Sequence, residues 1–160
     1  MSETKIVKVV YKGAHTDVDT PCIIALGIPK DAEVVVPQCN GNLNKKQRAN
    51  KAVTLAIASI SLHNYRQIII HSKRHQSADS LFYKNYKYTV GHLQEPQEEF
   101  DSSVFNICTS GIHFFESMRT AAIYAVFSDM ANGYGLLLKD SEQFATFAEE
   151  QAERYNNKKP

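Results

Sequence analysis

Apolar and polar positions along the chain change period several times, and each change predicts an element. Ile6 to Tyr11 is rich in β-branched residues and predicts a first strand. Lys12 to Thr20 is polar, with Gly13 and two Asp, and predicts a loop. Cys22 to Leu26 is a second apolar run. Pro29-Lys30-Asp31 signals a turn, and Glu33 to Val36 predicts a third strand stopped by Pro37. Three short strands with short connections imply an antiparallel meander.

Asn40, Gly41, Asn42 and Asn44 supply loop chemistry. From Lys45 to about Ser61 the period lengthens. Ala49, Ala52, Val53, Ala56, Ile57 and Ile60 recur at three- and four-residue steps, the apolar stripe of a helix. Gln67 to His71 predicts a strand, Ser72 to Asp79 a polar loop, and Phe82 to Val90 an aromatic strand broken near Asn85 and ended by Gly91. Gln94 to Ser103 is acidic and loop-like. Ile112 to Phe115 predicts a short strand. Ser117 follows as the N-cap of a helix over Met118 to Ala131, ended by Gly133 and Gly135. Leu136 to Leu138 predicts a last strand. Asp140 with Gln143 forms a capping box for a final helix whose apolar face is Phe144, Phe147, Ala148, Ala152 and Tyr155. The order predicts an α+β fold, a mainly antiparallel sheet with about three helices. Residues 1–155 form one domain in this reading, and Asn156 to Pro160 a disordered tail.

Composition narrows the function classes. A chain of 160 residues fits one domain of roughly 100–200 residues. Eighteen Lys and Arg balance seventeen Asp and Glu for a net charge of +1, which argues against binding a nucleic-acid polymer. Three Cys with no CxxC pair argue against a thiolate zinc site and for a reducing compartment. No apolar stretch approaches the ~20 residues of a membrane span. With no signal-peptide pattern at the N-terminus, the expected location is the cytoplasm.

Three segments carry candidate chemistry. Lys45, Lys46, Arg48 and Lys51 crowd the start of the predicted helix, against its macrodipole, and such a helix end could hold phosphate. No GxxxxGK[ST] or GxGxxG is present, which disfavours an NTPase or a dinucleotide-binding enzyme. His71-Ser72-Lys73-Arg74-His75 is a second cationic cluster suited to charge-assisted phosphate contacts; its HxxxH spacing lacks an adjacent carboxylate before Asp79. Cys108, Ser110 and His113 lie within six residues, although catalytic partners usually come from distant segments. The acidic stretch Glu95, Glu98, Glu99 and Asp101 reads as a solvated loop.

Tyr88-Thr89-Val90-Gly91, Phe100-Asp101 and Cys108-Thr109-Ser110-Gly111-Ile112-His113-Phe114-Phe115, with Ala122 and Tyr124 beyond, resemble an uncharacterised domain family of bacteriophages and giant viruses. Ile28 to Ala32 and Arg48 to Ala52 extend the likeness across about residues 6–126. Gly111 to Phe115, Ser117 and Ala121 to Tyr124 are also similar to the NAD-cradling strand–helix of ADP-ribosyltransferases. The chain departs from that motif in having His113 where Tyr is usual. Lys12-Gly13-Ala14-His15 is only a loose echo of the H-G-[TS] element, and no Glu is placed as catalytic acid.

Together these features lead us to expect a non-catalytic binder of a nucleotide-derived, ADP-ribose-like or cyclic-nucleotide host immune signal. Arg48, Lys51, Lys73, Arg74 and Arg119 would hold phosphates. Tyr88 and His113 complete the expected ligand-binding residues, with bases stacking on Tyr or Phe. No catalytic residue, metal or cofactor is expected, and homo-oligomerisation would suit such a protein. The alternatives are an ADP-ribosyltransferase-like enzyme using His113 with a distant Glu, and a host-protein interaction module presenting Phe82 to Tyr88.

Overall fold

The β-branched run at the N-terminus becomes β1 (Ile6–His15), which returns antiparallel as β2 (Pro21–Pro29). In the computed structural model, residues 5–38, 42, 45–107, 109–128, 133 and 135–158 are described. The chain continues through β3 (Val34–Val35), β4 (Gln47–Ala49), β5 (Ala52–His63), β6 (Gln67–Arg74) and β7 (Ser77–Ser80). It then forms β8 (Lys87–Thr89), β9 (Leu93–Gln94), β10 (Ile112–Phe114), α1 (Met118–Phe127), β11 (Leu137–Lys139) and α2 (Ser141–Asn157). The large sheet runs β11-β6-β5-β2-β1-β7-β8, with β9 also on β5, and only β11 joins in parallel. A second sheet runs β10-β4-β3. The result is a single α+β domain with a curled, mainly antiparallel sheet.

Burial on both faces organises the layers. Along β2, Ile23 and Ala25 face a core shared with α1 and α2. Cys22, Ile24, Leu26 and Ile28 face a second core, closed by Ala49, Ile112 and Phe114 of the small sheet and by Tyr88. Reciprocal backbone bonds between Tyr11 and Phe115, 2.9 and 2.7 Å, join the two sheets.

The described residues form two helices rather than three, because Lys45 to Ser61 is not helical: it is β4 and β5. The misleading period comes from a bulge. Ala25 pairs with Ala56 but Leu26 with Thr54, so Leu55 is an extra residue on β5. A bulge slips strand parity by one. Val53 and Leu55 before it, and Ala56, Ala58 and Ile60 after it, therefore all face the helical core, while Ala49, Ala52 and Ile57 face the other. The three-residue step from Val53 to Ala56 is a bulged strand between two cores. No helix end exists here to hold phosphate.

The meander also fails at its third strand: β3 leaves the large sheet and pairs with β4. Lys12 to His15 continue β1, and the polar segment after Ser72 contains the end of β6 and β7. The aromatic segment turns before β8, with Asn85 at φ 60°. Ser117 caps α1 as expected, its Oγ accepting from Thr120 N–H at 3.1 Å. Asp140 precedes α2 at φ 66° without a side-chain cap bond, so the capping box does not form: that backbone turns the carboxylate away from the first amides. Phe144, Ala148 and Ala152 pack into the helical core as expected. Asn156 lies within α2 and pairs with Ile6, accepting from its N–H at 2.7 Å and donating to its carbonyl at 3.0 Å.

α1 crosses β1 closely at Gly13, where a Cβ would lie 2.9 Å from Ala125 Cβ and 3.0 Å from Ala121 O. Gly13→Ala is expected to cost about 1–3 kcal/mol, read as a drop in melting temperature by circular dichroism. An unchanged melt would mean that α1 does not seat on β1 at this point.

Candidate functional site

Pairing of β10 with β4 sets His113 opposite Arg48. Arg48 is completely buried. Its Nη2 donates to Asp101 O (2.8 Å) and Ser103 O (2.9 Å), and its Nη1 donates to Asn106 O and to Ile107 O (3.4 Å). The fork thus holds the loop over residues 101–107 by its carbonyls, leaving Nε without a partner among the described residues. Gly111, at φ +153°, lets the backbone pass: a Cβ there would sit 2.9 Å from Arg48 Cβ. Asp101 is held below the usual carboxylate range by bonds from Ser103 N–H, then Thr109 and Asn106.

His113 Nε2 lies 2.6 Å from Thr109 O, so the proton sits on Nε2. Its ring packs on Phe82 with centroids 4.3 Å apart. Burial first, then the charge of Lys46, pushes its pKa down to about 3, with Lys12 and Arg48 adding to the effect. His113 is therefore a neutral imidazole at physiological pH.

The residue that sequence reasoning missed is Lys12. Strand alternation places it with Val10 and Ala14, which both face the second core. It is 5% exposed, with Nζ 5.2 Å from the centroid of Tyr88. Burial, then repulsion from Lys46, lowers its pKa to about 7. Among the described residues no carboxylate lies within ion-pair distance of Lys12 and no group hydrogen-bonds its Nζ. The apolar parity Val10-x-Lys12-x-Ala14 carried the signal, hidden because Lys12 and Gly13 read as loop.

Aromatic rings connect these groups to the surface. Centroid separations are 4.8 Å from Phe82 to Tyr83, 5.5 Å to Tyr86 and 5.2 Å on to Tyr88. Phe82 is 43% exposed whereas Tyr88 is 1% exposed, so the ladder runs from solvent down to Lys12.

Arg48 and His113 thus meet, Tyr88 lies at the buried end of the ladder that starts at Phe82 beside His113, and the remaining expected residues do not join them. Lys51 Nζ bonds Asp31 Oδ2 at 2.5 Å. Arg74 lies on the helical side, its guanidinium 5.3 Å and 4.9 Å from the rings of Phe144 and Phe147, and donates to the His71 and Ser72 carbonyls. Arg119 donates to the Leu136 and Gly133 carbonyls. Lys73 is exposed on β6. Arg74 and Lys12 thus lie on opposite sides of the large sheet. His71 and His75 bond Ser61 and Ser59, and no metal-holding group of three His, Cys, Asp or Glu occurs among the described residues. Cys39, Asn40, Gly41, Asn44 and Cys108 lie outside the described residues. No helix among the described residues is long and apolar enough to cross a membrane.

Fold and site define a small α+β domain with a cationic and aromatic second core. The chain belongs to a family of unknown function, DUF5758, matched over residues 2–121. The match takes in both sheets through β10 and reaches Ala121 of α1. Neither a curated protein nor a solved structure matches the chain.

Lys12 and His113 give stability a defined pH dependence. Each binds its proton more weakly folded than unfolded, so the unfolded chain carries the extra proton between about 3 and 6.5 for His113 and between about 7 and 10.5 for Lys12. Stability rises with pH wherever the unfolded state holds more protons. Urea midpoints are expected to rise from pH 4.5 to 6.5 and again from 7.5 to 9.5, with Lys12→Met flattening the second rise. A second rise that survives in Lys12→Met would reassign it to another group.

Proposed function

We propose that this site of the protein is a non-catalytic binding site for a small, flat, anionic ligand of nucleotide type, held where the aromatic ladder meets Lys46, Lys12 and His113. The observation that carries this reading is a buried Lys12 with no counter-ion among the described residues, beside further cations and a ladder of tilted and edge-on rings. Burying an unpaired ammonium costs stability, and perturbed groups of this kind cluster at functional sites. An anionic group at Lys12 would supply the missing charge, while Phe82 beside His113 offers a face for a base. Arg48 shapes the wall rather than touching ligand. In the viral setting suggested by the motif likeness, the ligand is an ADP-ribose-like or cyclic-nucleotide immune signal of the host cytoplasm, held by a homo-oligomer.

Mass spectrometry of small molecules released on denaturation, followed by calorimetric titration with ADP-ribose isomers and cyclic dinucleotides, tests the proposal. Lys12→Met is expected to melt higher than the parent chain at pH 7, having lost a buried unpaired charge. It should bind roughly 10- to 100-fold more weakly, as expected for one hydrogen bond to a charged group of ~1.5–3 kcal/mol. No binding across the panel at tens of micromolar protein, or binding indifferent to Lys12→Met, would sink the reading.

A further inference from the structure

A different part of the same sheet face carries a second, independent arrangement. β5 pairs Ser59 with Cys22 of β2. Just past the end of β6, His75 N–H donates to Ile57 O at 2.9 Å, which fixes the histidine against β5. Its Nε2 then lies 2.6 Å from Ser59 Oγ. Both side chains line a cavity of about 330 Å³ between the β1–β2 turn and the start of β7, with Thr16, Thr20, Ser77 and Lys87 on its walls.

Cys22 Sγ donates to Thr20 O at 3.6 Å and also hydrogen-bonds Ser59. In the tautomer with the ring proton on Nδ1, Nε2 accepts the Ser59 hydroxyl proton. That is the tautomer a general base needs. One step along the same strands, Ser61 Oγ lies 2.9 Å from His71 Nε2. His71 of that second pair is exposed, and neither residue lines this cavity. The two pairs share their chemistry and differ in whether a substrate has somewhere to sit.

We propose that Ser59 is a nucleophile activated by His75, and that the cavity takes a small ester. Ser59 Oγ bonds the acyl carbon as Nε2 takes the hydroxyl proton. The bond from acyl carbon to leaving oxygen then breaks, and Nε2–H returns the proton to the departing alcohol. Water, with His75 as base, releases the acid and regenerates Ser59. The wall hydroxyls of Thr16, Thr20 and Ser77 favour a short polar acyl chain over a long apolar one. This site does not rest on the ligand reading above, and an acyl or phosphonyl probe reports on it separately.

The test uses the full chain with an alkyl phosphonyl fluoride, which labels by forming Oγ–P and expelling fluoride, with the label located by peptide mass spectrometry. Labelling is expected at Ser59 and absent in Ser59→Ala. It should slow about 100-fold in His75→Gln, the contribution of a general base, and be unchanged in Ser61→Ala. Circular dichroism melts show whether each variant is folded, and hydrolysis of p-nitrophenyl acetate should follow the same order. Labelling of Ser61 at the same rate as Ser59, labelling of Ser59 at an undiminished rate in folded His75→Gln, or no label on Ser59 would each overturn the proposal.

Discussion

Burial of the central strands on both faces is the constraint from which the architecture follows. Every residue from Cys22 to Ile28 except Gly27 belongs to one of two cores, and Gly27 is itself buried against Ile6. A strand that is apolar on both sides must be covered on both sides. α1 and α2 close one side; the small sheet and Tyr88 close the other. The covering sheet is tied in through the Tyr11–Phe115 bridge rather than through a long shared edge. That leaves room for side chains from β1, β4, β8 and β10 to converge in the second core.

Three potential cations are buried in or beside that core, and each meets burial differently. Arg48 places four donor contacts on loop carbonyls, the arrangement that suits a rigid guanidinium fork. His113 gives up its charge, donating from one nitrogen to Thr109 O. Lys12 has neither device among the described residues: it has the face of Tyr88 and a pKa near neutrality. Such an arrangement costs stability unless something else sets the requirement. Lys12 therefore anchors the functional reading more firmly than Lys51, Arg74 and Arg119, which are paired with Asp31 or with carbonyls.

Strands with one clear apolar run, the α1 N-cap at Ser117 and the apolar face of α2 were legible in the sequence, because they depend on residues within a turn or two of one another. Of the expected ligand residues, Arg48 and His113 are brought together by the pairing of β4 with β10, although the apolar period places Arg48 on a helix. Arg74 and Arg119 lie elsewhere, because charge in a sequence does not say which side of the fold a residue takes.

What the sequence determined by itself is the α+β class, β1 and β2 and the two C-terminal helices. These rest on local spacing of apolar residues, on capping chemistry and on β-branched content. What only the tertiary structure decided is the identity of Lys45 to Ser61 and the burial of Lys12. A bulge at Leu55 shifts strand parity so that a two-faced strand mimics a helical stripe, and only pairing with β2 reveals it. The only local mark of Lys12 being inside is the parity it shares with Val10 and Ala14. Its environment is made by Tyr88 and Lys46, from distant segments that the fold alone brings together.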